Sequence, residues 1–262
     1  MGAHDALTAS LVQRAGFNLA WVGSFEASTY RQLPDINLIT STEMAETVRA
    51  VRSGCDLPVF VDADNGYGSD ETAVRALDMF AAAGADAVCI EDNAFPKRNS
   101  LYATQDRKLE HSEAFAERLS RLMGRKTGLK IIARTEALTA GLGPDEAVRR
   151  LEAYIGAGAD AVFVQCNGRC ADQLPEVVTR VAGKAPLVLA PTSLPETSAD
   201  EFFDLGANAV VYANVVSRAT VRGVTRMLTT LGRSRRLDHI TDELSELDEI
   251  FDLTGAHEWN PR

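Results

Sequence analysis

Cysteine and histidine are scarce in this chain of 262 residues, with four of each. Cys55, Cys89, Cys166 and Cys170 form no paired CxxC, so the spacing of a structural zinc site is absent. Cys89 lies in an apolar strand-like run and reads as a buried, reduced thiol. Cys166 and Cys170 stand four apart, a spacing that points to nothing specific. His4 reads as structural or exposed, and His111, His239 and His257 fall in helix-like or terminal segments with no Ser–His–Asp order. Glycine-rich phosphate fingerprints are missing too, because Gly66-Tyr67-Gly68 is not a dinucleotide loop. Positive charge is in deficit: 27 basic against 37 acidic residues leave a formal charge of −10. That balance argues against nucleic acid or an anionic membrane as partner, while leaving room for a local basic pocket and a small anionic substrate. No apolar run approaches membrane-spanning length. Met1-Gly2-Ala3-His4-Asp5 lacks the basic-then-apolar order of a secretory signal, so a cytoplasmic location is expected.

What is present is a repeat. Arg14-Ala15-Gly16-Phe17-Asn18-Leu19-Ala20-Trp21-Val22, Ala83-Gly84-Ala85-Asp86-Ala87-Val88-Cys89-Ile90, Ala157-Gly158-Ala159-Asp160-Ala161-Val162-Phe163-Val164 and Leu205-Gly206-Ala207-Asn208-Ala209-Val210-Val211-Tyr212 each run from a helix end, through a glycine, into an apolar strand. Glycine ends helices in the left-handed conformation because it has no Cβ to clash. Unbroken apolar runs suit strands buried on both faces, as in a parallel sheet, and repeated helix–turn–strand units build a barrel or a doubly wound sheet. Further strands are expected at Leu57-Pro58-Val59-Phe60-Val61-Asp62-Ala63-Asp64, Lys130-Ile131-Ile132-Ala133-Arg134 and Pro186-Leu187-Val188-Leu189-Ala190-Pro191. Helices are expected at 42–53, 70–82, 112–123, 144–155 and 172–181, with another starting behind a Ser198 cap. These make seven strands. The eighth needed for a closed barrel would have to come from residues 1–4, a short stretch. Residues 228–253 are charged, periodic and helical, which divides the chain into a barrel domain, 1–227, and a helical extension, 228–262, that packs on the barrel or on a neighbouring subunit.

Polar residues gather at the C-terminal ends of these strands: Gly23 and Ser24, then Asp62 and Asp64, Glu91 and Asp92, Arg134, and Gln165. Barrel enzymes place their chemistry on that face. Asp62, Asp64 and Glu91 form a set of oxygen donors suited to Mg²⁺, which keeps several waters and needs only one or two direct carboxylates. The alternative for either aspartate is a capping or turn-ordering role. Pro96 rules out helix after Glu91-Asp92, and Lys97-Arg98-Asn99-Ser100 supplies charge and directed donors for phosphate or carboxylate, or else is a solvated basic loop. Arg134, at the end of a buried strand, needs an anionic partner, either a substrate or a structural acid such as Glu91 or Glu136.

These stretches together resemble the phosphoenolpyruvate mutase/isocitrate lyase superfamily. The resemblance runs from His4-Asp5-Ala6-Leu7-Thr8-Ala9 to about Tyr212, through Trp21…Ser24-Phe25-Glu26…Ser28, Pro34-Asp35, Asp62-Ala63-Asp64-Asn65-Gly66-Tyr67-Gly68, Glu91-Asp92, Phe95-Pro96-Lys97-Arg98-Asn99-Ser100 and Ile131-Ile132-Ala133-Arg134-Thr135-Glu136-Ala137. It implies a (β/α)8 TIM barrel whose last barrel helix is exchanged between subunits, in homodimers or homotetramers. It also implies interconversion of phosphoenolpyruvate and phosphonopyruvate. Lyases of the superfamily carry a cysteine in the loop after Glu-Asp, whereas Lys97-Arg98-Asn99-Ser100-Leu101 resembles the mutase pattern; hydrolysis of phosphonopyruvate, or another Mg²⁺-dependent reaction of a 2-oxo acid, is the second reading, and a non-catalytic anion-binding barrel the third. By the same resemblance Asp62 binds Mg²⁺ directly, and Asp64, Glu91 and Asp35 hold its waters. Asp35 also lies against the phosphoryl group. Trp21, Gly23 and Ser24 frame the pyruvoyl unit, Arg134 holds phosphoryl oxygens, Lys97, Asn99 and Ser100 belong to a closing gate, and Ser100, Leu101 and Gln165 are among the substrate-binding residues. Three positions depart from the family: Asn93 where lysine is usual, Gln165 where a histidine stands beside the phosphoryl group, and Gly23 in place of a serine.

Overall fold

The computed structural model describes residues 1–101, 107–125 and 127–259. The chain forms two units, Met1–Asn214 and Val215–Arg262. The first alternates helix and strand: α1 (Ala6–Arg14), β1 (Ala20–Val22), α2 (Ser24–Thr29), α3 (Ser41–Gly54), β2 (Val59–Asp62), α4 (Asp70–Ala83), β3 (Ala87–Glu91), α5 (Ser112–Met123), β4 (Lys130–Thr135), α6 (Gly143–Gly156), β5 (Ala161–Val164), α7 (Leu174–Val181), β6 (Leu187–Leu189), α8 (Ala199–Leu205) and β7 (Ala209–Val210). The seven strands pair in sequence order, all parallel. Residues 1–3 supply the eighth position as backbone alone. Gly2 N–H donates to Tyr212 O at 3.0 Å on one side, and Ala3 N–H to Trp21 O and Trp21 N–H to Met1 O, both at 2.9 Å, on the other. The short stretch therefore joins β1 to the segment after β7 and closes the ring.

The repeat has a physical basis at both of its polar positions. Gly16, Gly84, Gly158 and Gly206 all have positive φ, between 81° and 121°, where a side chain would be strained. In three of the four copies, the Asp or Asn two residues later staples the preceding strand. Asp86 accepts from Val59 N–H at 2.8 Å, Asp160 from Ile131 N–H at 2.9 Å and Asn208 from Leu187 N–H at 2.8 Å. These side chains lie at the strand starts, the end of a barrel that serves stability.

Strand residues alternate between two layers, as a period of two requires. Val59, Val61, Val88, Ile90, Ile131 and Ala133 face the helices, while Trp21, Cys89, Ile132, Phe163 and Val188 pack on one another inside the ring. Two residues beyond each of several inward positions the strand ends: Trp21 leads to Gly23, Phe60 to Asp62, Cys89 to Glu91, Ile132 to Arg134 and Phe163 to Gln165. An apolar floor thus carries a polar layer directly above it. Cys89 is fully buried in that floor and free, in keeping with an inert thiol.

The second unit contains α9 (Val215–Ser234), α10 (Leu247–Thr254) and α11 (Ala256–Trp259). The boundary expected at 227/228 falls inside α9. The helix expected over 228–253 is broken: Arg235, at φ 51°, leaves the right-handed conformation, and two single 3₁₀ turns precede α10. Residues 260–262 of the expected extension lie outside the described residues. Among those described, no helix is long and apolar enough to cross a membrane.

Candidate active site

The polar layer lines a cavity at the C-terminal mouth of the ring, of about 620 Å³ including open solvent at its entrance. Every site residue expected from the sequence lines this cavity except Asp64, which stands behind the wall, fully buried. Asp92 turns away, because it follows Glu91 by one residue. It accepts from Thr135 Oγ1 (2.7 Å), Glu136 N–H (2.9 Å), Arg150 Nη1 (2.9 Å) and the Tyr154 hydroxyl (2.7 Å), a structural anchor between β3, β4 and α6.

The loop after β3 is not a solvated basic loop. Lys97, Asn99 and Ser100 are buried and only Arg98 between them points outward. Lys97 Nζ meets Asp35 Oδ1 at 2.7 Å, pairs closely with Asp64 Oδ1, and donates to Ser24 Oγ at 2.9 Å. Burial by itself would lower the Lys97 pKa, but Asp64 and Asp35 outweigh it and hold the ammonium charged. Asn99 Nδ2 donates to Asp35 Oδ2 at 2.5 Å, so Asp35 receives both loop residues. Asn37, also missed in the sequence, accepts from Lys97 N–H at 2.6 Å and donates to Asp64 Oδ2 at 3.2 Å.

Arg134 answers the question of its partner with several acids at once. Its Nε lies 2.8 Å from Glu136 Oε1 and 3.3 Å from Glu91 Oε2, and its Nη1 is 3.5 Å from Asp62 Oδ2. Nη2 donates to Ser100 Oγ at 2.8 Å, and Ser100 donates onward to Glu136 at 2.8 Å. The guanidinium also sits 5.1 Å over the Phe163 ring, which meets Trp21 edge-on at 6.2 Å. Phe163 could have been read from the period of two, as the inward residue before Gln165. Gln165 itself donates from Nε2 to Cys166 O at 3.0 Å. Leu101 follows the loop, its N–H held by Asn99 Oδ1 at 2.9 Å.

Glu26, in the first turn of α2, had no assigned role in the sequence. It is buried in the cavity wall, its Oε1 lacks a partner, and burial, reinforced by Asp62 and Asp35, pushes its carboxyl up to about 8. Near neutral pH it is a carboxylic acid that can donate a hydrogen bond. It packs close against Gly23, where a Cβ would fall 1.9 Å from Glu26 Oε2 and displace that side chain. The sign of its linkage is testable. From the ordinary 4.5 up to about 8, folding takes up a proton at Glu26, so stability falls as pH rises through that window. Glu26→Gln removes the proton uptake. Its melting temperature should gain on the parent's as pH rises across the window, and parallel melting curves would contradict a neutral Glu26.

Asp35, Asp62, Asp64, Glu91 and Glu136 outnumber the buried cations Lys97 and Arg134. Burial pushes the Asp62 carboxyl up, against the pull of Arg134 and Lys97. An all-oxygen, electron-rich donor set of this kind fits a hard divalent cation. Among the described residues, no group of three or more His, Cys, Asp or Glu side chains is already gathered around a single metal position. Lys97 and Arg134 instead lie between the acids.

Fold and site together define a parallel α/β barrel with a carboxylate–cation pocket at the strand ends. Residues 1–231 match the family model described as phosphoenolpyruvate phosphomutase, and the chain belongs to that family. It is 34% identical to a phosphonopyruvate hydrolase from Variovorax sp. (strain Pal2), over 97% of this chain and 89% of the relative. The crystal structure of a phosphoenolpyruvate phosphomutase from Streptomyces platensis subsp. rosaceus superposes with a TM-score of 0.93 at 36% identity, covering 98% of this chain and 90% of that one. A phosphonopyruvate hydrolase in complex with oxalate and Mg²⁺ superposes with a TM-score of 0.90 at 33% identity, covering 99% and 90%. The relatives are enzymes, among them mutases, a hydrolase and lyases.

Proposed function

We propose that this protein interconverts phosphoenolpyruvate and phosphonopyruvate, and so makes or breaks a carbon–phosphorus bond at the start of phosphonate metabolism. The observation that carries the reading is the convergence of Lys97 and Asn99 on Asp35. The loop supplies a cation and an amide to Asp35, one of the carboxylates that line the cavity, and no thiol, so the acid/base cysteine of a carbon–carbon lyase has no counterpart in this loop.

Asp62 would hold Mg²⁺, with Asp35, Asp64 and Glu91 behind its waters. Bound there, the ion would neutralise charge on the oxo-acid substrate. The remaining work falls to side chains. Trp21 and Phe163 make an apolar floor for the pyruvoyl unit, beside Gly23 and Ser24. Glu26, protonated, can donate toward the substrate carboxylate without repelling it. Arg134 and Asn99 orient the phosphoryl oxygens, Asp35 sets the side from which the group migrates, and Lys97 and Ser100 keep the loop down. Phosphoryl transfer through a loose transition state asks for positioning and charge neutralisation, and for exclusion of water, since water would capture the phosphoryl group.

Hydrolysis of phosphonopyruvate is the second reading. It is favoured by Gln165, which contributes no charge, and by likeness to the hydrolase. Consumption of phosphonopyruvate in the presence of Mg²⁺ tests both readings, and an inert protein would remove both. A homodimer or homotetramer built by exchange of α9 is part of the proposal. Val221, Val224 and Leu228, spaced along one face of that helix, are all exposed. Four free cysteines support a reducing, cytoplasmic setting.

A further inference from the structure

Arg107 touches none of the cavity, yet it binds the loop that covers it. Its side chain is only 2% exposed. Nη2 donates to Asn99 O at 2.8 Å, and Nη1 donates to Arg98 O at 2.5 Å and to Asn93 Oδ1 at 3.3 Å, with Glu136 Oε2 at 3.6 Å. Asn93 in turn donates from Nδ2 to Glu91 Oε1 at 2.7 Å. One guanidinium thus ties the backbone of two loop residues to two strand tips, Glu91 through Asn93 and Glu136 directly. Asn167 adds a third backbone tie, from Nδ2 to Ser100 O at 3.1 Å.

The choice of residue matters. A buried charge is costly unless it is paired and hydrogen-bonded. Arginine offers five donors in a rigid fork, enough to serve two carbonyls and an amide together, whereas a lysine ammonium is a single point on a flexible stem. The contacts to Arg98 O and Asn99 O exist only while residues 98 and 99 lie over the cavity. With those residues lifted, the guanidinium would keep Asn93 and Glu136 and lose both carbonyls. Its hydrogen bonding therefore favours the covered arrangement.

We propose that Arg107 is a positioning residue that holds Lys97, Asn99 and Ser100 over the substrate and so decides how much of the phosphoryl group is lost to water. The proposal rests on the reading of the cavity as a phosphonopyruvate site. Asn93, directly after Glu91-Asp92, is neutral, and its side-chain amide oxygen receives the Arg107 guanidinium at 3.3 Å from outside the cavity wall.

The experiment uses the full chain with Arg107→Met and Arg107→Lys. Arg98 is exposed, so tryptic cleavage after it, identified by mass, reports how firmly the loop is held without needing any activity. Cleavage after Arg98 should accelerate by roughly tenfold or more in Arg107→Met, the loss expected for hydrogen bonds to a charged group, and Arg107→Lys should restore only part of the protection. With phosphonopyruvate and Mg²⁺, kcat should fall by a similar factor with a smaller change in KM, and the share of inorganic phosphate among the products should rise. A merely structural role would leave that product ratio alone. Arg107→Lys keeps the buried charge and tests the claim if the methionine variant does not fold. Unchanged cleavage and an unchanged product ratio in a folded variant would overturn the proposal. If the parent protein consumes no phosphonopyruvate while cleavage after Arg98 still responds to Arg107, the loop contact stands and the substrate reading falls.

Discussion

Phosphonopyruvate turnover is expected to fall by about a thousandfold or more in Asp35→Ala, in a protein that still folds. Among the described residues, Asp35 alone of the acids receives both loop residues, Lys97 at 2.7 Å and Asn99 at 2.5 Å. Without it, Asn99 loses its orienting partner and the reacting group loses the carboxylate that stands beside it. The fold should survive, because Lys97 retains Asp64 and Ser24 and is not left as an unpaired buried charge. Steady-state kinetics alongside circular dichroism separate these effects. A variant with parental kcat would take Asp35 out of the site.

Lys97→Met should carry the larger penalty in stability. It leaves Asp35 and Asp64 buried without their cation, and breaking a buried pair by removing one partner costs about 3–5 kcal/mol. For a chain of this size that is a drop of roughly 6–20 °C in melting temperature. Turnover should be lost as well, since the loop loses its cation. Added Mg²⁺ should raise the melting temperature of the variant more than that of the parent, because surplus carboxylates gain most from a cation. A variant as stable as the parent would mean that Lys97 is not the charge that holds those aspartates together.

Much of the fold was legible because it is written locally. The glycine acts on the helix it ends and the Asp or Asn two residues later on the nearest strand, and four copies of the glycine with three of the strand contact make the pattern visible. The strand-tip acids and Arg134 were legible for the same reason, since a period of two and a strand end place them without tertiary knowledge. The eighth position was harder: residues 1–3 have too few side chains to read as a strand, and backbone hydrogen bonds alone define them. The helix over 228–253 was overextended because charge and periodicity run through Arg235, where the backbone turns left-handed.

The missed site residues share a different cause. Asn37 meets Lys97 across 60 positions, and no local pattern encodes such a pair. Glu26 stood in the sequence only as part of a recognisable stretch, and its burial, reinforced by Asp62 and Asp35, is what makes it neutral. Arg107 lies past the recognisable loop motif, in a stretch whose polar composition gives no hint of burial. Arg134 was posed as a choice between substrate and structural partners; Glu91 and Glu136 both bind it, and it still faces the cavity.

The central claim is that this pocket moves a phosphoryl group within phosphonopyruvate and keeps water away while it does so. ³¹P NMR of purified protein with phosphonopyruvate and Mg²⁺ tests this most directly, because phosphoenolpyruvate and inorganic phosphate give separate signals. The account predicts growth of the phosphoenolpyruvate signal. Inorganic phosphate as sole product, or no change in the spectrum, would contradict it.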